Sequence, residues 1–164
     1  MSDRSERTRR GFTLIELLIV LGMMGILFSV SMSRTSRMIS SYRVNSAAQA
    51  MADELHAAFA LVGRNRKPLV LSIDTTKMQL RLVNRAGTDT FRLRAFGPSS
   101  EYRLSKGDFK VYPTTTPTTL EIYPPGLASD SLSVIIKKNG SARRVRMLRG
   151  GLVQICNTGV NTTC

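Results

Sequence analysis

Residues 12–33, FTLIELLIVLGMMGILFSVSMS, are apolar all round, with one acidic exception at Glu16. About 20 consecutive apolar residues cross a hydrocarbon core as a helix, so this run predicts a membrane-spanning segment. Helical spacing continues beyond it. Ala48, Met51, Leu55, Ala58, Phe59 and Val62 recur at steps of three and four, a stripe that one helix face must bury. Gly63 is the expected stop, and Arg64-Asn65-Arg66-Lys67-Pro68 reads as a loop. The pattern predicts one long helix from Leu14 to Val62, apolar all round in its first half and amphipathic in its second.

After Pro68 the period shortens. Runs at 69–74, 78–84, 91–96, 109–112, 120–123, 132–137, 143–148 and 152–155 alternate or are rich in β-formers. Asp74-Thr75-Thr76-Lys77 joins the first two as a hairpin loop, and Asn139-Gly140 is a strong turn signal between 132–137 and 143–148. The proline-rich stretches at 113–117 and 124–126 are breaks or edge segments, and Gly150-Gly151 is a turn. The sheet needs an apolar partner, which the 51–62 stripe supplies. The fold class is therefore α+β: a long N-terminal helix packed on an antiparallel sheet.

Composition adds a charge. The 164 residues carry 24 Lys and Arg against 11 Asp and Glu, a formal +13. From Arg34 onward 20 basic residues face 8 acidic ones. Such a surface favours polyanions, namely nucleic acid, anionic lipid or acidic partners, unless it is simply a solvated face. The only cysteines, Cys156 and Cys164, lie at the C-terminal end. In an oxidising compartment a disulfide closing that short loop is the natural reading; in a reducing one both are free thiols. If formed, it stabilises by about 2–3 kcal/mol in the chain-entropy model.

Arg4, Arg7, Arg9 and Arg10 precede the apolar run, which keeps the N-terminus cytoplasmic and exports the rest. The small residues 29–33 also fit the cleavage site of an ordinary secretory signal. Glu16 argues against that reading, because a carboxylate inside lipid is costly without a partner. A second junction, Gly11-Phe12, precedes the run.

Arg10-Gly11-Phe12-Thr13-Leu14-Ile15-Glu16-Leu17-Leu18 resembles the processing motif of type IV pilins and pseudopilins. The resemblance implies cleavage by a prepilin peptidase between Gly11 and Phe12, and N-methylation of Phe12. Gly11, having no Cβ, permits close approach to the backbone. Glu16 would then pair with the Phe12 amine of a neighbouring subunit, since a desolvated carboxylate demands such a partner. Major pilins often carry a proline late in this helix. Here the matching position is Ser33, and no proline precedes Pro68, which favours a minor pilin or pseudopilin.

The tail is similar to GspH/FimT-type minor pseudopilins: Ile122-Tyr123-Pro124-Pro125-Gly126-Leu127-Ala128-Ser129, then two late strands, then Gly151-Leu152-Val153-Gln154-Ile155. DNA-binding members carry Gly-Arg-x-Arg in the last strand. Here Leu152 and Gln154 replace both arginines. Lys137, Lys138, Arg143, Arg144, Arg146 and Arg149 lie nearby and could hold a phosphate backbone. Arg144 and Arg146 share one face of a strand, and no aromatic residues interleave with them to form a stacking platform.

Catalysis has no support. His56 is the lone histidine, and neither a nucleophile–base pair nor a phosphate-binding glycine loop accompanies it. No catalytic residue, metal site or cofactor is expected. The expected division is a leader at 1–11, a transmembrane and assembly helix at 12–33, an amphipathic periplasmic helix and loop at 34–66, and a β-rich head at 67–164. The partners implied are a prepilin peptidase, other pilins or pseudopilins, and the bacterial inner membrane, crossed once before entry into a pilus or pseudopilus. DNA is a partner in the alternative reading, a competence-type pilin.

Overall fold

A single helix, α1 (Leu14–Asn65), takes up the first part of the chain. The structure, a computed structural model, describes residues 12–112 and 118–158, the side chains of 30–34 excepted. The chain divides into two units, Met1–Ser36 and Arg37–Cys164.

In the first unit the described side chains of 12–29 are all exposed, the large apolar ones from 48 % at Val20 to 85 % at Phe12. Among the described residues no helix is long and apolar enough to cross a membrane. The expected span, 12–33, includes side chains outside that description.

In the second unit α1 becomes a core element. Val44, Ala47, Ala48, Met51, Leu55, Ala58 and Val62 are buried, so the stripe begins one turn earlier than its spacing suggested. The alanines bring the backbone close to its neighbours, while Met51 and Leu55 fill the gaps. The helix does not stop at Gly63. It runs to Asn65 and ends where Arg66 turns left-handed at φ 52°, its amide donating to the Val62 carbonyl at 2.9 Å. A glycine inside a helix lowers stability without ending it, and here the αL residue that closes it is an arginine.

Nine strands follow: β1 (Leu69–Asp74), β2 (Gln79–Asn84), β3 (Thr90–Ala95), β4 (Phe109–Tyr112), β5 (Thr118–Tyr123), β6 (Leu127–Ala128), β7 (Leu132–Lys138), β8 (Ser141–Met147) and β9 (Val153–Asn157). All eight expected strands are present, β1 and β4 with the expected ends and the other six with shifted ones, and the short β6 is new. Residues 113–117, expected as a break, lie outside the described residues. Met78 falls out of β2 because it sits at φ 49°, closing a turn in which Asp74 Oδ1 accepts from the Thr76 and Lys77 amides at 2.8 and 3.0 Å. Asn139 and Gly140 both have positive φ, as a two-residue hairpin turn between β7 and β8 requires.

The strands form two sheets, not the one expected: β3-β2-β1-β5-β6 and β4-β7-β8-β9. Every pairing is antiparallel. Alternation reveals which residues face inward, but it does not reveal which strand is the neighbour. Inward residues of both sheets join the α1 stripe in one core, with Leu71, Leu80, Leu82 and Ile122 from the first and Val134, Ile136, Val145 and Met147 from the second.

Gly151, in the turn between β8 and β9, shows why that turn is glycine-rich. Its φ is 81°, and a Cβ there would lie 3.2 Å from the Phe59 ring. We expect Gly151→Ala to destabilise the head by about 1–2 kcal/mol, the cost of a left-handed L-residue. A lower urea midpoint at unchanged slope would register it; an unchanged midpoint would contradict it.

Candidate functional site

At the N-terminal site, Gly11 lies outside the described residues and Phe12 stands exposed ahead of α1. Thr13 caps the helix: its Oγ1 accepts from the Glu16 amide at 3.3 Å, and its carbonyl accepts from the Leu17 amide at 3.3 Å. Ser or Thr followed three residues later by Glu is a capping-box spacing. That signal is present in the sequence and gives Thr13 and Glu16 a local role in starting the helix. Glu16 is exposed in the first turn, where a carboxylate also favours the helix dipole. No ion pair joins it to another described residue. The described apolar side chains around it are likewise uncovered. This segment presents a large apolar surface and a single carboxylate, which is the chemistry of a surface awaiting other molecules.

The expected basic cluster is split by the pleat. In β8, Val145 and Met147 point to the core, and Arg143 shares their side. Its Nε donates to Asn45 Oδ1 of α1 at 2.8 Å, and Nη1 donates to the Ala142 carbonyl at 3.0 Å. Lys138 Nζ donates to the Arg103 carbonyl and lies 3.7 Å from Asp108 Oδ2. Arg149 reaches Asp130 at 3.4 Å. These three are therefore engaged within the head.

Arg144 and Arg146 do share the outer face. Strand register adds residues that the sequence reading missed. Lys110, Ile135, Arg144 and Cys156 form one cross-strand row, and Tyr112, Ser133, Arg146 and Gln154 form the next. Lys137 lies on the same face, opposite Ala142. Tyr112 is 43 % exposed, so an aromatic does sit among the basic residues, contrary to expectation. A surface depression of about 510 Å³ is lined by Tyr112, Asp130, Ser133, Arg144 and Arg146 among others. Arg144 Nε is buried there without a hydrogen-bond partner.

A buried carboxylate also escaped the sequence reading. Glu54 of α1 receives Arg92 Nε at 2.6 Å and Nη2 at 3.1 Å, and Arg94 Nε lies 3.3 Å away. Both arginines stand on the inner side of β3, whose Phe91 and Leu93 remain exposed. The edge strand is thus fastened to the helix by charge as well as by its pairing with β2. The Arg92 hydrogen bond, and then the two guanidinium charges, hold the Glu54 carboxyl below its ordinary range against the opposing effect of burial. A lowered folded value means that this stabilisation is complete above the ordinary value of 4.5 and is lost as pH falls through the lowered one. We expect Glu54→Gln to cost about 2 kcal/mol at neutral pH, because the half-exposed arginines are screened. The variant and wild type should converge in acid. Equal stability at pH 7 would contradict the role.

His56 is exposed on α1, and among the described residues no group of His, Cys, Asp and Glu is arranged to hold a metal. Cys156 is not a free thiol; Cys164 lies outside the described residues.

Residues 7–32 match the prokaryotic N-terminal methylation motif. No curated protein matches the chain. Among solved structures the chain is similar to the type IV minor pilin FimU of Pseudomonas aeruginosa in two crystal forms. The TM-scores are 0.55 and 0.53, at 18 % and 16 % identity, over 68 % of this chain and 87 % and 90 % of the FimU chains. The chain thus joins a methylation motif at the head of its long helix to a fold shared with FimU.

Proposed function

We propose that the chain is a structural subunit of a type IV pilus tip or of a type II secretion pseudopilus. It is held in the inner membrane by 12–33, cut between Gly11 and Phe12, and methylated on Phe12. It then enters a filament through α1. One observation carries the reading: the methylation motif leads into a helix whose described side chains at 12–29 are wholly exposed. Such a surface is stable only against lipid or against other apolar helices. In the bilayer the lipid covers it; in the filament neighbouring helices do. Glu16 then meets the amine of an adjacent Phe12, and the head remains outside the helical bundle. The Cys156–Cys164 disulfide closes the C-terminal end in the oxidising compartment. The test is co-recovery with filaments sheared from the cell surface or purified from the secretion apparatus. A chain that stays in the membrane fraction of filament-forming cells would refute the assignment.

A second reading has one observation in its favour, although the comparisons lend it none. Lys110, Lys137, Arg144 and Arg146 share the outer face of β4, β7 and β8 with Tyr112, a combination that suits a nucleic-acid backbone. If the head captures DNA, duplex affinity should fall steeply with salt. Arg144→Gln with Arg146→Gln should then weaken it about tenfold or more and flatten the salt slope by about two. Binding that survives the double change would reject this face.

A further inference from the structure

The two ends of the head differ in what lies next to them along the chain. At the entry end only residues 34–36 separate the apolar run from the second unit. Contacts with the first turns of α1 in that unit identify which parts of the head share this end. Asn139 Nδ2 donates to Ser40 Oγ at 3.0 Å, which brings the β7–β8 turn to the helix. Arg43 lines a polar depression with Ser99, Ser100, Glu101 and Arg103, which brings the 98–103 loop there. Lys138 ties the two together through the Arg103 carbonyl and Asp108. Asp108 ends the single 3-10 turn that begins at Lys106.

The result is a collar. Arg37, Arg43, Arg103, Lys106, Lys137 and Lys138 all belong to the segments gathered at this end of the head. The acidic side chains identified there are Glu101 and Asp108, and Asp108 is already engaged by Lys138. Arg37, Arg103, Lys106 and Lys137 are exposed. They extend from α1, the 98–103 loop, the 3-10 turn and β7, so the charge forms a surface rather than a single stripe along the helix.

We propose that this collar docks on anionic phospholipid headgroups, holding the head against the bilayer surface while the subunit waits in the membrane. Basic residues beside a membrane anchor are each attracted to an anionic surface within a Debye length of it. Charge complementarity selects the partner, and chain connectivity selects the place. The basic residues at the opposite end, Arg64, Arg66, Lys67 and Arg85, have the same charge but lie roughly 35 Å further along the helix axis at 1.5 Å per residue. Leaving the membrane for a filament would then require the collar to let go, so headgroup charge would tune how readily the subunit is extracted.

The proposal rests on the membrane-anchored reading above, and the test keeps the two apart. Every residue of the core cluster lies between Val44 and Val153, so residues 37–164 carry the complete core and serve as the head. Its co-sedimentation is measured with vesicles of equal parts phosphatidylglycerol and phosphatidylcholine, and with pure phosphatidylcholine vesicles. The wild-type head should bind the anionic vesicles only and release in high salt. Changing Arg37, Arg103, Lys106 and Lys137 together to Gln should weaken binding by at least about tenfold. Changing Arg64, Arg66, Lys67 and Arg85 together to Gln removes equal charge and should leave most of the binding. Failure of the wild-type head to bind would overturn the collar. So would equal losses in the two variants, which would mean net charge alone, or collar changes that abolish duplex DNA binding and spare the vesicles. Carbonate extraction of the full-length chain examines the anchor separately. Release there would sink the anchor while leaving the head's lipid binding as measured.

Discussion

Replacing Gly11 with a bulky residue such as Leu is expected to leave the chain as a full-length precursor in the membrane, with processing below detection. On the proposed reading a peptidase brings its catalytic groups against the backbone between Gly11 and Phe12, at the edge of an apolar helix. A side chain on residue 11 puts carbon where the enzyme must come close, and it removes the freedom that glycine gives the scissile segment. By the positive-inside rule the four arginines before the junction are expected to keep the leader on the cytoplasmic side whether or not cutting occurs. The variant therefore inserts normally and stops at that stage. An electrophoretic shift matching retention of 1–11 is the expected readout. A mature-sized product in the Gly11→Leu variant would place the cut elsewhere, and residues 29–33 would become the first region to examine.

The second large effect falls after cleavage. Glu16→Ala is expected to be processed normally and yet be lost from filaments. The Thr13 cap is formed by the Glu16 backbone amide, not its side chain, so alanine retains it, and alanine is the best helix former. What disappears is the carboxylate, which makes no ion pair with a described residue of its own chain. Between packed apolar helices a new N-terminal amine has few partners, and leaving a buried charge unpaired costs about 3–5 kcal/mol. Such a loss is ample to exclude a subunit competing with others for a place. The fraction of mature chain recovered in sheared filaments measures the effect. Glu16→Asp, which keeps the charge on a shorter arm, should recover part of it. Wild-type incorporation of Glu16→Ala would refute the pairing.

The parts of the molecule legible in the sequence are those written in consecutive residues. The processing motif, the cap spacing of Thr13 and Glu16, the helical stripe and the Asn139-Gly140 turn each lie within a short window, where local geometry alone decides the outcome. Their boundaries were less secure. Glycine at 63 was expected to end α1, but the helix continues through the exposed Gly63 and Arg64 to Asn65 and closes where Arg66 turns left-handed. The illegible parts depend on pairing. Glu54 and Arg92 are 38 residues apart, and nothing in either neighbourhood marks them as partners. The division into two sheets turns on β5 returning to β1 while β4 waits for β7, a choice that alternation does not encode.

The basic face was legible by half. The alternation rule placed Arg144 and Arg146 together, and the same rule sends Arg143 inward to Asn45. Lys110 and Tyr112 joined them only through the β4–β7 register. Hence the run of basic residues, read as one cluster, is really two: outward-facing side chains free to meet a partner, and others that fasten the helix, the turns and the loops of the head. Arg92 and Arg94 do the same at the opposite sheet, through Glu54. Part of the net charge of +13 is therefore architectural, and the remainder is what a membrane surface or a polyanion would see.

The most direct test of the central claim is the mass of the mature protein purified from its own cells, with fragmentation of its N-terminal peptide. The account predicts a chain that begins at Phe12 and carries one methyl group on that residue's amine. A chain beginning at Met1, or one that has lost the apolar run and begins after residue 33, would contradict it.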